Sequence, residues 1–170
     1  KSHEVHLLAF HHPDELRDDA VLEESRRELA KFCRSIEYFT LWPKKSRLHT
    51  ALALAAALAY PKPFSVLAQK NSKLAARIVD FCSNRRVDVV HLDTIALAPL
   101  RRHCGDVPVV LAHHNIESQL MARRAEREPA RAAKAYVGLQ ARRLTRFESN
   151  QAALFPLNIT VSEADSVTLR

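Results

Sequence analysis

The residues of this sequence best suited to chemistry lie together as His113, His114, Asn115, Glu117 and Ser118, inside VPVVLAHHNIES at 107–118. Imidazole, amide, carboxylate and hydroxyl groups side by side can both donate to and accept from a polar ligand. They follow directly on Val107, Val109, Val110, Leu111 and Ala112, an apolar β-branched run of the kind that forms a parallel strand buried on both faces. From Ile116 a basic helical pattern begins. Open α/β sheets bind ligands where strands end and helices start, and a helix N-terminus there favours negative charge. The same residues also read as a plain helix cap, with Asn115 at the N-cap, Ser118 three positions on, and the two histidines exposed in a loop. A second pair, His91 and Asp93 in VDVVHLD at 87–93, stands at i and i+2 and so shares one strand face near its C-terminal end. These two either touch a ligand or pair with nearby backbone.

Composition removes several chemistries. Gly105 and Gly138 are the only glycines, so neither a GxGxxG turn nor a Walker A loop can occur, and phosphate contacts fall to side chains and helix N-termini. Cys33, Cys82 and Cys104 are scattered without a CxxC pair, which indicates neither a disulfide framework nor a zinc knuckle and fits a reducing, cytoplasmic setting. A length of 170 residues with 47% hydrophobic side chains suits one domain with a sizeable core. The formal net charge of +7 favours acidic partners, among them nucleotide phosphates, nucleic acid and anionic lipid. Lys1 to Phe10 lacks the pattern of a signal peptide, and the apolar stretch 51–59 falls far short of the roughly 20 residues that span a bilayer.

The elements that would position the site alternate along the chain. Lys1 to Phe10 reads as a strand, Glu15 to Cys33 as a helix, and Ile36 to Trp42 as an aromatic and β-branched strand closed by Pro43. Lys44, Lys45, Arg47 and His49 then precede LALAAALAY at 52–60. That segment reads as a core helix flanked by solvated charge, or as a helix lying on an anionic membrane surface. Phe64 to Asn84 has Leu67, Leu74, Ile78 and Phe81 at helical spacing, with Lys70, Lys73, Arg77 and Asp80 mostly turned outward. Val87 to Asp93 is a third strand, and 94–103 a short helix interrupted near Pro99. Ile116 to Phe155 is a long helical region divided near Pro129, with Tyr136, Leu139, Leu144 and Phe147 facing the core and Arg142, Arg143 and Arg146 forming a basic edge. Leu157 to Val161 is the last strand, and Ser162 with Asp165 makes a capping-box-like helix start.

Strands and helices in this order predict βαβ units and a parallel sheet. KSHEVHLL at 1–8 resembles the strand after the first helix in family 4 glycosyltransferases of the two-Rossmann-domain, GT-B type. VDVVHLD resembles their fourth strand, VVLAHHNIES their fifth with its HNxE end, and RRLTRFESNQAALFPLNITVSEADSVTLR at 142–170 their passage into the interdomain linker. The likeness runs in order and spacing over nearly the whole chain. It implies an α/β fold, a Rossmann-like three-layer α/β/α domain with a mostly parallel sheet that lacks the usual first strand. Residues 1–170 would form a single N-terminal, acceptor-side domain of a retaining sugar transferase, without the C-terminal nucleotide-sugar-binding domain. No metal or other cofactor is implied, the nucleotide-sugar donor being a substrate and the acceptor a polysaccharide or lipid-linked glycan at the inner face of the cell membrane.

By that resemblance His114 is the catalytic residue, near the donor sugar or its leaving phosphate, and His113, Asn115, Glu117 and Asp93 bind substrate. Ser162, Glu163 and Asp165 would be structural. Two positions depart from the family pattern: Ser2 stands in place of its glycine, and Phe155-Pro156 in place of its Phe-Asp. The absent first strand belongs between the strands at Val5 and Val89, so two unpaired parallel edges are expected at the sheet centre. The competing readings are a basic binding module for nucleic acid or an anionic surface, through Arg123 to Arg146, and half of a sugar-nucleotide epimerase. Nucleic acid is not the expected partner, since aromatics make up 6% of the chain and do not interleave with the basic helix.

Overall fold

The structure, a computed structural model, describes residues 3–11, 19–41, 47–84 and 87–169. The readings that fall on Lys1, Ser2, 15–18, Trp42, Pro43, Lys44 and Lys45 lie outside the described residues. In chain order the elements are β1 His6–His11, α1 Asp19–Leu29, β2 Ser35–Thr40, α2 Arg47–Ala59, α3 Phe64–Ala68, α4 Ser72–Asn84, β3 Val90–Leu92, a 3-10 helix Ile95–His103, β4 Val109–His113, α5 Glu117–Arg127, α6 Arg131–Ala152, β5 Leu157–Thr160 and α7 Glu163–Leu169. Every described strand pair is parallel, and the fold is Rossmann-like α/β/α.

The strands divide into two sheets, β1–β2 and β3–β4–β5. The resemblance implies an absent strand between β1 and β3, and no described ladder joins these two. In the first sheet His6 is level with Ser35 and His11 with Thr40. Alternation puts His6, Leu8, Phe10, Glu37 and Phe39 on one face, and that face meets α4. The His6 and Phe81 rings lie 4.8 Å apart, and the Arg77 guanidinium donates to Glu37 at 2.7 Å and to Asp80 at 2.6 Å. The opposite face carries Tyr38, whose hydroxyl is 2.9 Å from Ser25 Oγ and whose ring lies under Arg26 of α1. Helices therefore cover both faces of the β1–β2 ladder.

One core nevertheless joins the two sheets. Phe39 from the first, Leu92, Val109 and Leu111 from the second, and Ile78, Ile95, Leu144 and Phe147 from the helices form a single buried cluster. Burial of this apolar surface, at roughly 25 cal/mol per Å², holds the blocks together in the absence of hydrogen bonds between β1 and β3.

Three readings change. The helix expected over 64–84 is two helices, because Asn71 Oδ1 accepts from the backbone N–H groups of Lys73 and Leu74, both at 3.0 Å, and so starts α4 afresh. Arg77 turns inward to Glu37 and Asp80 instead of outward. Arg143 likewise leaves the expected basic edge: its guanidinium donates to Ala57 O and, at 2.8 Å, to Leu58 O, closing the C-terminal end of α2. Leu74, Ile78, Phe81, Leu144 and Phe147 are buried as their spacing predicts, whereas Tyr136 and Leu139 are only partly so. The break at Pro129 and the Ser162 cap are both present, Asp165 N–H donating to Ser162 Oγ at 3.1 Å.

Candidate functional site at the β4–α5 turn

β4 is hydrogen-bonded on both sides, to β3 and to β5, and it ends at His113. The strand's alternation sends His113 inward, where it is 2% exposed, and the chain then turns through His114 and Asn115. His113 Nε2–H donates to Asn158 Oδ1 at 3.0 Å, and Asn158 Nδ2 donates to Ala152 O at 2.9 Å. Because the second bond fixes the Asn158 amide, its oxygen faces the histidine and the imidazole proton resides on Nε2. His113 Nδ1 is buried and without a hydrogen-bond partner. In this arrangement His113 ties β4 to β5 and α6; the ligand contact expected of it is not open to solvent.

The plain capping reading also changes. The N-cap of α5 is Ile116, which is buried and has no side chain able to cap, and Asn115 is exposed. Capping comes from α6 instead. Glu148 is 2% exposed and accepts from Glu117 N–H at 3.2 Å, Ser118 N–H at 3.3 Å and Ser118 Oγ–H at 2.5 Å. A carboxylate at a helix N-terminus satisfies orphan donors and complements the helix dipole. The positive helix end that the sequence offers to a ligand's negative charge is thus occupied by Glu148.

On the solvent side, His114 Nε2–H donates to Asp93 Oδ1 at 2.9 Å, with both side chains more than half exposed. Thr94 Oγ1 donates to Glu117 and also caps the 3-10 helix through Ala96 N–H. The segment after β3 therefore grips both His114 and Glu117, so Asp93 pairs with a side chain of the turn and not with nearby backbone. His91 is exposed. With its Nε2 proton held by Asp93, His114 offers Nδ1 to accept from a ligand hydroxyl or to take up a proton. Asp93 and Glu117 add carboxylate acceptors beside it, a donor and acceptor set that suits a polyhydroxylated ligand.

Burial pushes the Cys104 thiol up to about 12 and raises Cys82 and Tyr136, while hydrogen bonding to Glu37 raises Arg77. Among the described residues no group of three or more His, Cys, Asp or Glu could hold a metal ion, and no helix is long and apolar enough to cross a membrane. A shallow hollow along α5 is lined by Leu120, Arg123, Arg124, Arg127 and Glu128; it carries no aromatic ring on which a base could stack.

Sequence reasoning missed Glu148, Asn158 and Thr94. Glu148 left a signal, standing four residues after Leu144 and seven after Ala141 on the buried stripe of α6. A carboxylate in that row must find partners. Asn158 and Thr94 left none, since their partners are distant in sequence.

No family model matches the chain, and no curated protein does. Among solved structures it is similar, over 99% of its length, to a protein from Clostridium difficile 630 whose assignment as a transcriptional regulator is itself provisional. The identity is 10%, the TM-score 0.31, and the chain spans 54% of that protein's length. An overlap this loose carries no argument about fold or function.

Proposed function

We propose that this chain is the acceptor-side half of a retaining glycosyltransferase that moves a sugar from a nucleotide-sugar to a polysaccharide or lipid-linked acceptor at the cytoplasmic face of a membrane. The observation that carries the reading is the joining of Asp93, Thr94, His114 and Glu117 across the carboxyl ends of β3 and β4. Parallel α/β sheets bind their ligands at that edge. The family 4 GT-B resemblance of the same residues supplies the substrate class. In this reading His114 Nδ1 meets a hydroxyl of the donor sugar or an oxygen of its leaving phosphate. Asp93 holds the imidazole in the Nε2–H tautomer, and Asn115 and Glu117 contact the acceptor. His113 and Glu148 position the turn from beneath.

A donor domain completes the cleft in this reading, so transfer requires a polypeptide that carries one. The test is transfer of radiolabelled sugar from a panel of nucleotide-sugars to membrane extracts by such a polypeptide, with and without His114→Ala. Loss of transfer on His114→Ala, with binding of the folded protein to acceptor membranes unchanged, is the expected result. Wild-type turnover by the variant removes His114 from the reaction. Conversion of the nucleotide-sugar with no transfer to acceptor identifies an epimerase instead.

A further inference from the structure

Helix α2 is inverted with respect to an ordinary surface helix. Ala53 and Ala57, one turn apart, are fully buried at 0% exposure, while Leu48, Leu52, Leu54 and Leu58 are 67%, 55%, 40% and 55% exposed. The spacing explains the division: Ala53 and Ala57 form one stripe, and Leu48 with Leu52, and Leu54 with Leu58, form two stripes flanking the opposite side. The small side chains let α2 approach its own domain closely, and Arg143 secures its end by donating to Ala57 O and Leu58 O. The large apolar side chains are left outward. A helix apolar on every side is ordinarily enclosed, and an outward leucine face marks an interaction surface.

Charge identifies the occupant. From Tyr38 to Val79 the sequence holds no Asp or Glu and, besides Arg77, which is engaged by Glu37 and Asp80, six lysines and arginines. Lys44, Lys45 and Arg47 immediately precede the leucines in sequence, and the exposed Lys62 follows them. A protein partner has no need of a sequence stretch free of carboxylates around the leucines, but an anionic lipid surface repels each carboxylate. At 13 residues α2 is too short to cross a bilayer and is suited to lying along the headgroup boundary, leucines down and basic residues at the phosphates. We propose that α2 docks this chain on an anionic membrane surface through Leu48, Leu52, Leu54 and Leu58. The inference does not depend on sugar transfer, and its test reads lipid binding alone.

The test is co-sedimentation of the full chain with phosphatidylcholine vesicles, with and without phosphatidylglycerol, at low and high salt. Wild-type protein is expected to bind the phosphatidylglycerol vesicles, more weakly as salt rises, and to leave the neutral ones in comparison. The Leu52→Gln/Leu58→Gln variant replaces outward leucines by good helix formers and is expected to lower the partition roughly tenfold or more. Lys62→Glu is expected to weaken binding to the anionic vesicles only. Leu120→Gln, an exposed leucine on α5, serves as the control and is expected to bind as wild type. Circular dichroism confirms that each variant is folded. Undiminished binding by the folded double variant overturns the proposal, as does equal wild-type binding to neutral vesicles. Absence of vesicle binding, with a concentration-dependent dimer that the double variant abolishes, also overturns it and assigns the leucine face to a second copy of the chain.

Discussion

The two sides of the β4–α5 turn use the same chemical types for opposite ends. Beneath it, a carboxylate and a histidine are enclosed: Glu148 binds the first N–H groups of α5 and the Ser118 hydroxyl, and His113 binds Asn158. Above it, a carboxylate and a histidine face water as Asp93 and His114. Burial makes the difference. In a dry interior each unmade hydrogen bond costs the full desolvation of its partner, so the lower pair is fixed in one geometry and bears on stability. At an exposed position water replaces a lost partner at little cost, so the upper pair contributes little to folding and remains free to meet a ligand.

The largest test of this contrast is Glu148. Glu148→Ala leaves two backbone N–H groups and the Ser118 hydroxyl unpaired in a buried setting and is expected to cost about 3 kcal/mol or more. For a domain of this size that is a fall in Tm of roughly 6–12 °C. Ser118→Ala removes one of those bonds, for about 1–2 kcal/mol. The two residues share a network, so a double-mutant cycle by urea unfolding is expected to give a coupling on the order of 1 kcal/mol. Strict additivity would show that Glu148 and Ser118 do not act together, and the contrast would lose its lower half.

A second test uses the buried side's titration. Cys104 is fully buried at the end of the 3-10 helix, and its thiol is pushed up from the usual 9.0 to about 12, chiefly by burial and secondarily by its neighbour Cys82. A raised thiol means that the folded state holds the proton more tightly than the unfolded chain. The associated stability is therefore fully present below about pH 9 and is lost as pH climbs towards 12. Urea midpoints between pH 8 and 11 are expected to decline for wild type and to decline less for Cys104→Ala, once that variant's lower starting stability is subtracted. Parallel declines would locate the alkaline sensitivity elsewhere.

What the sequence made legible follows from the range of the interactions involved. Strand and helix order, the Pro129 break and the Ser162 cap depend on residues within a few positions of one another, and each is present. The start of α4 at Asn71 was equally local, but an apolar spacing that ran on through Leu67 and Leu74 concealed it. That β1 and β3 belong to separate sheets was an expectation of the resemblance, which implies an absent strand between them, and not of any local pattern. The candidate site was legible as a place and not as a geometry. His114 and Asp93 are 21 residues apart, Glu117 and Glu148 31, and neither pairing has a local signature. Neither Ala53 nor Leu52 announces which side of α2 meets the domain, because both are apolar, so the leucine face emerges only from the packing.

The smallest expected effect on stability belongs to the upper pair, and it separates the two halves of the turn most sharply. Asp93→Asn keeps the shape and an acceptor oxygen but weakens the hold on the His114 Nε2 proton, and His114→Ala removes the ring from a position already in water. Each is expected to shift unfolding by no more than about 0.5 kcal/mol, within the range of exposed ion pairs. In a polypeptide carrying the donor domain, the same substitutions are expected to act on sugar transfer far more than on folding, with His114→Ala the more severe. Asp93→Asn acts through the imidazole and so is expected to alter the pH profile of transfer as well as its rate, whereas a merely structural aspartate would lower the amount of folded protein and leave the profile unmoved. A stability loss above 2 kcal/mol from either change would place Asp93 and His114 with Glu148 as part of the scaffold, and the site would have to be sought elsewhere along the carboxyl edge of the strands.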